Sequence, residues 1–133
     1  MSDNINWAEL SEVEKIKTAS NYLRGTLEAS LADPITGAIA LDDRQVSKFH
    51  GIYQQFDRDN ERERKKTKLE PDYSFLIRVR VPGGVVNAKQ WLQIDQISDE
   101  YANGTIKLTT RQAFQFHGVL KGNLKPSIQS INK

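Results

Sequence analysis

Apolar and polar residues alternate most regularly between Tyr73 and Val81, and this alternation predicts a β-strand. The apolar members would lie on one face of the strand, and the two arginines, Arg78 and Arg80, on the other. The apolar members are Phe75, Ile77, Val79 and Val81. The sequence Pro82-Gly83-Gly84 follows directly and would end the strand.

Helical spacing replaces the alternation in the next segment. Trp91, Ile94 and Ile97 recur on one side of a helix that would begin at Asn87, a typical N-cap residue, and end at 103–104. Two strand-like segments and a last helix then follow at 105–110, 113–120 and 123–133. The order β-α-β-β-α predicts an α+β fold, a ferredoxin-like half-domain over 71–133 with its helices on one face of an antiparallel sheet. Because the last helix is cut short at Lys133, we expect the chain to be part of a longer protein.

Residues 1–70 are predicted to form a helical and extended arm before this half-domain. Ser11, with Glu14 three residues later, has the spacing of a helix N-terminus, and helical character continues to residue 31, with Gly25 as the expected place for an end or kink. Residues 32–43 are rich in turn formers and predict a loop, and Val46–Asp59 is aromatic and β-branched, which predicts a strand. The segment 57–68 contains six basic and four acidic residues. It is typical of a solvated loop or exposed helix, or else of a surface that docks a partner.

Composition excludes several kinds of protein. With 133 residues and 27% charged residues, the chain predicts one modest globular domain. It has no cysteine, which excludes disulfides, thiolate catalysis and cysteine-ligated metal within these residues. A net charge of +2 gives no reason to expect nucleic-acid binding. Without an export signal or an apolar membrane span, we expect a cytoplasmic location and no membrane partner.

The basic residues are unevenly distributed. Residues 104–133 contain five basic residues and no acidic one. Strand parity places Ile106, Leu108, Phe114 and Phe116 on one face of the sheet, and polar side chains on the other. The polar set is Lys107, Thr109, Arg111, Gln115 and His117. With Arg78 and Arg80 on the neighbouring strand, this face would suit a polycarboxylate or a small oxyanion, although exposed cations on a solvated sheet are also ordinary.

Four ordered motifs carry a resemblance to a known family. They are SNYLRGTL at 20–27, KFHGIYQQFDRD at 48–59, FLIRVRVPGG at 75–84 and IKLTTRQAFQFHGVLKGNLK at 106–125. Together they closely resemble the N-terminal part of the assimilatory sulfite reductase hemoproteins, in the siroheme nitrite and sulfite reductase family. The resemblance implies six-electron reduction of sulfite to sulfide at a siroheme coupled to a 4Fe-4S cluster.

The family also implies roles for single residues. Arg78 resembles the arginine that reaches the iron-bound substrate anion, and is the expected catalytic residue. The polar face would contact siroheme through Lys107, Thr109, Arg111, Gln115 and His117. Where this chain has Lys107, relatives often have arginine, so bidentate pairing is lost there. The family's cluster cysteines are missing from this chain, so we expect it neither to hold the cofactors fully nor to reduce sulfite alone.

Partners and alternatives follow from the same resemblance. Sulfite is the expected substrate, and the motif RVRVPGG favours an NADPH-dependent flavoprotein over ferredoxin as electron donor. A siroheme nitrite reductase would share the architecture. A module without catalysis, docking a partner through its arm and the charged segment 57–68, is the alternative from another class.

Overall fold

The computed structural model describes residues 6–133, and within this range six α-helices and four β-strands follow one another. The elements are α1 Glu12–Ala19, α2 Leu27–Ala32, α3 Leu41–Phe49, β1 Ile52–Phe56, α4 Glu61–Lys66, β2 Tyr73–Val79, α5 Ala88–Tyr101, β3 Ile106–Leu108, β4 Phe114–Val119 and α6 Leu124–Ile131.

The strands form one antiparallel sheet in the order β1-β2-β4-β3. From β2 onward the elements run β2-α5-β3-β4-α6, which confirms the predicted order and the ferredoxin-like α+β fold. The fourth strand, β1, comes from the segment predicted as an arm and pairs along the free side of β2. The division of the chain into an arm and a half-domain near residue 70 stays a prediction. The sheet contains strands from both sides of that point, because β1 precedes it and β2 follows it.

The core lies on the face of the sheet that carries the predicted apolar residues. Phe75 and Phe116 are fully buried at its centre, and Ile94 and Ile97 of α5 belong to the same cluster. Asn87 caps α5 through a reciprocal pair of hydrogen bonds with Gln90, as its sequence position predicted. The core face is therefore closed by helices, and the opposite face of β2 and β4 carries the polar side chains.

One prediction about the first half of the chain is wrong. The residues from Val46 to Phe49 belong to helix α3, and the strand begins only at Ile52. Helix α3 has acidic residues in its first turn and Lys48 in its last, which suits the helix dipole, and Val46 is buried, so packing overrides its β-propensity. The helical region up to residue 31 was predicted with an end or kink at Gly25, and it is indeed interrupted between α1 and α2, where Asn21–Leu23 and Gly25 have positive φ.

Leu108 also departs from its prediction. Parity placed it on the packed face, but it is 72% exposed, although its cross-strand partner Phe114 is buried. Strand β3 has three residues and lies at the edge of the sheet, so only one neighbour covers it. Trp91, predicted on the apolar side of α5, is 42% exposed and touches the ring of Phe114 edge-on.

Candidate anion-binding site

A polar row crosses the sheet on the face away from the core. Arg78 of β2 pairs with Gln115 of β4, and Gln115 pairs with Lys107 of β3. Because directly paired residues of neighbouring strands point to the same side, these three side chains share one face. Strand parity therefore correctly placed them together on this face.

An open groove of about 480 Å³ lies at one end of this row. Its cationic lining residues are Lys48, Arg78, Arg80 and Arg111. Among residues 6–133, no aspartate or glutamate lines the groove. Four cations that share a groove without a carboxylate repel one another, so the groove favours an anionic occupant.

Arg78 lies in this groove and has no ionic partner within the described part of the chain. Its Nε atom is buried and makes no hydrogen bond, and none of the salt bridges formed among residues 6–133 involves it. Its guanidinium carbon lies 5.3 Å from the centre of the Tyr53 ring. A half-buried arginine without a carboxylate is unusual in a folded domain and marks a place where a bound anion would be stabilised.

His117 lies on the same face, beside Gln115. Its Nε2 donates a hydrogen bond to Gln115 Oε1 at 3.2 Å. Burial lowers the pKa of His117 below its usual 6.5, and the positive charge of Lys107 lowers this pKa further. His117 is therefore neutral at pH 7, and the positive charge of this face comes from lysine and arginine.

The predicted site residues fall into three groups. Arg78 and Arg111 line the groove, whereas Lys107, Gln115 and His117 lie along the strands outside its lining. Thr109 is in the connection between β3 and β4, where its Oγ1 accepts a hydrogen bond from the backbone N–H of Arg111 at 3.3 Å. Thr109 therefore shapes the turn that delivers Arg111 to the groove.

Sequence reasoning missed three residues of the groove: Lys48, His50 and Tyr53. Lys48 and His50 are delivered by the C-terminal end of α3, where His50 Nε2 donates a hydrogen bond to the carbonyl oxygen of Leu23 at 2.7 Å. One signal was present in the sequence, since Phe-His-Gly occurs at both 49–51 and 116–118. The histidine of the first copy lines the groove and that of the second lies on the polar face, whereas Phe116 belongs to the core.

Residues 6–133 contain neither a cluster of metal-ligating side chains nor a helix suited to span a membrane. No group of three or more histidine, cysteine, aspartate or glutamate side chains is arranged there to hold a metal ion. Over the same range, none of the helices has the length and apolarity to cross a bilayer.

Several relatives of this chain share one name. Residues 68–133 match the family model of the nitrite/sulfite reductase ferredoxin-like half domain. The chain is 60% identical over 132 residues to the sulfite reductase [NADPH] hemoprotein beta-component of Staphylococcus epidermidis, and 59% identical over 133 residues to that of Staphylococcus haemolyticus. These matches cover 99% and 100% of this chain and 23% of each relative. The protein of the same name from Anoxybacillus flavithermus is 61% identical over 122 residues, 92% of this chain and 21% of the relative.

The fold, the matched half domain and the relatives agree with the resemblance carried by the four motifs. The chain spans about a quarter of the length of the relatives that it matches. It belongs to the nitrite and sulfite reductase family.

Proposed function

We propose that this chain is part of a sulfite reductase hemoprotein, in which its cationic groove and polar sheet face bind the carboxylates of siroheme and the substrate oxyanion. The observation that carries the proposal is Arg78, a half-buried guanidinium that has no ionic partner among residues 6–133 and lies in a groove lined by three further cations. A polycarboxylate macrocycle and a small oxyanion are the ligands whose charge such a groove complements.

Each residue has a role that its geometry supports. Arg78 binds the substrate anion, because a planar guanidinium offers paired donors to an oxyanion and remains charged at any working pH. Arg111 and Lys107 neutralise carboxylates of the macrocycle from the turn and from β3. Gln115 fixes the hydrogen of His117 on Nε2, which leaves Nδ1 free to accept a hydrogen bond.

Charge stabilisation is the catalytic contribution expected of these residues. Siroheme and its cluster, when bound, would provide the redox centres through which electrons from the donor reach the substrate. The fixed cations would bind the oxyanion, polarise its S–O bonds and orient the ordered water that brings protons as oxygen leaves. The donor set fits the siroheme carboxylates, but not the cluster, because this chain has no cysteine thiolate to ligate iron.

The electron donor and the location of the reaction form part of the same proposal. The relatives carry NADPH in their names, which supports an NADPH-linked flavoprotein as the donor. A reaction fed by NADPH would take place in the cytoplasm.

A chimera tests the proposal. The matching segment of the Staphylococcus epidermidis relative would be replaced by this chain, and sulfite-dependent oxidation of a reduced dye would be measured. We expect activity in the chimera and none in the isolated chain. Arg78→Gln should lower kcat/KM for sulfite about 100-fold, because one donor to the oxyanion is lost. Arg62→Gln, a matched change of an exposed arginine on α4, should change it less than about twofold.

Three outcomes would contradict the proposal. They are an inactive chimera, an Arg78→Gln variant with unchanged kcat/KM, and turnover by the isolated chain. A chimera that prefers nitrite over sulfite by kcat/KM would favour the nitrite reductase alternative for this segment.

A further inference from the structure

Tyr53 packs against the unpaired guanidinium of Arg78. The guanidinium carbon lies 5.3 Å from the centre of the Tyr53 ring, a distance at which a cation is attracted to an aromatic face. Tyr53 pairs with Leu76 in the register of β1 and β2, two residues before Arg78, so the two side chains share the polar face. The contact is therefore fixed by strand pairing and not by a loop.

This contact matters because no ionic partner from the described residues holds Arg78 in place. Its Nε is buried without a hydrogen bond, and no salt bridge among residues 6–133 includes it. An arginine side chain has high conformational entropy when nothing fixes it. A ring that stacks on the flat face of a guanidinium restricts the side chain and leaves the donors along its edge free for an anion.

We propose that Tyr53 is a positioning residue for Arg78, holding the guanidinium in the groove through its ring and not through its hydroxyl group. Both residues line the groove, so an anion bound there would meet the edge of the guanidinium that the Tyr53 ring holds in place. The role in anion binding rests on the function proposed above, with sulfite as the anion. The stacking itself does not depend on that function.

Nuclear magnetic resonance of the full 133-residue chain tests the stacking. In the nitrogen-15 spectrum, the Nε–H signal of Arg78 should be displaced by the ring current of Tyr53 and should exchange slowly with water. Tyr53→Phe keeps the ring and should preserve both properties. Tyr53→Leu keeps an apolar side chain but removes the ring, and should abolish the displacement. An unchanged signal in Tyr53→Leu would overturn the proposal.

Kinetics in the chimeric holoenzyme test the positioning. Tyr53→Leu should lower kcat/KM for sulfite about tenfold, and Tyr53→Phe less than about twofold. In an Arg78→Met background, Tyr53→Leu should have almost no further effect, because Tyr53 acts through the guanidinium.

Two kinetic results would overturn the proposal. An undiminished tenfold loss in the Arg78→Met background would show that Tyr53 acts independently of Arg78. A loss in Tyr53→Phe equal to that in Tyr53→Leu would assign the effect to the hydroxyl. A wild-type chimera without sulfite reduction would refute the proposed function and with it the catalytic role of Tyr53, while the Nε–H signal would still decide whether the ring holds Arg78.

Discussion

His117 shows how one side chain on the polar face can lack charge although its neighbours are cationic. Half-burial removes water that would stabilise an imidazolium, and Lys107 on the adjoining strand repels it. Both effects lower the pKa of His117. The hydrogen bond from Nε2 to Gln115 is compatible with the neutral ring. We therefore assign no positive charge to His117 at neutral pH.

The lowered pKa of His117 makes the stability of the chain depend on pH. A histidine whose pKa is lower in the folded state than in the unfolded state takes up its proton more readily on unfolding. The contribution of the neutral His117 to the free energy of unfolding is complete above about pH 6.5. This contribution is lost as the pH falls through the lower pKa of the folded state. His117→Gln should therefore reduce the loss of stability between pH 7 and pH 5, measured from urea unfolding curves.

Lys107→Gln provides the control for this assignment. It removes the repelling charge and leaves burial, so the pKa of His117 should rise part of the way towards 6.5. The C2 proton of His117, followed by nuclear magnetic resonance against pH, would report the value directly. A folded-state pKa at or above 6.5 in the wild-type chain would contradict both statements.

At the scale of elements, the side chain of Asp43 connects helices α2 and α3. It is almost fully buried on α3 and accepts hydrogen bonds from the backbone N–H and Oγ1 of Thr26, at 2.8 and 2.7 Å, and from Oγ of Ser30 at 2.5 Å. A Cβ atom at Gly25 would lie 2.5 Å from its Oδ1, so only glycine permits this approach. The carboxylate thereby fixes the start of α2 against α3.

Asp43→Ala should lower the free energy of unfolding by about 3 kcal/mol, because buried donors lose a charged acceptor. Asp42 precedes it in the same helical turn and is exposed, so Asp42→Ala should cost about 0.5 kcal/mol or less. Urea unfolding of both variants measures the difference. Equal losses would show that the hydrogen bonds of Asp43 do not stabilise the fold.

Gly118 allows β4 to approach the end of α5 closely. It has a φ of +71°, and a Cβ there would lie 2.9 Å from the Cβ of Asn103, whose backbone N–H donates to the carbonyl oxygen of His117 at 3.0 Å. Gly118→Ala combines an unfavourable conformation with a steric clash, and should cost about 3 kcal/mol.

Gly83→Ala is the matched control for Gly118→Ala. Gly83 also has positive φ, but no atom lies within 4 Å of the added Cβ, so only the conformational cost of about 1 kcal/mol remains. Thermal unfolding followed by circular dichroism compares the two variants. A Gly83→Ala variant as unstable as Gly118→Ala would contradict the assignment of the larger loss to the contact with Asn103.

The sequence predicted elements well where burial follows a regular period. The alternation around Arg78 and the spacing of Ile94 and Ile97 reflect a sheet packed against a helix, so local pattern and tertiary contact agree. The prediction of a strand from Val46 failed because the position of helix α3 depends on Asp43. The hydrogen-bonding partners of Asp43 lie 13 and 17 residues earlier in the chain. No local period reports such contacts.

The residues of the candidate site also differ in whether a local pattern predicts them. Strand parity was enough to place Arg78, Gln115 and Lys107 on one face. Lys48 and Tyr53 could not be found in this way, because one lies at the end of a helix predicted as strand and the other on a strand whose start was misplaced. The groove forms where the two halves of the chain meet, so it depends on the pairing of β1 with β2.

At the scale of the whole molecule, the matched half domain and the folded unit do not coincide. The family model begins at residue 68, whereas β1 and two buried apolar side chains, Ile39 and Val46, precede it. Ile39 belongs to the main core cluster, and β1 covers the side of β2 opposite β4. Residues before 68 therefore contribute to the same core and the same sheet.

A fragment of residues 68–133 should consequently be much less stable than the whole chain. It would lose two buried aliphatic side chains, together about 5 kcal/mol, and expose an edge of β2 that invites association between copies. That loss approaches the total stability of an ordinary domain. Circular dichroism melting and size-exclusion chromatography of the fragment would measure stability and association.

A fragment of residues 11–133 is the control, because it begins at the N-cap of α1 and removes no buried residue of the described range. Its Tm should therefore shift by less than about 3 °C. A monomeric 68–133 fragment that melts cooperatively at the Tm of the whole chain would instead make the half domain an independent unit, and β1 an addition to its edge.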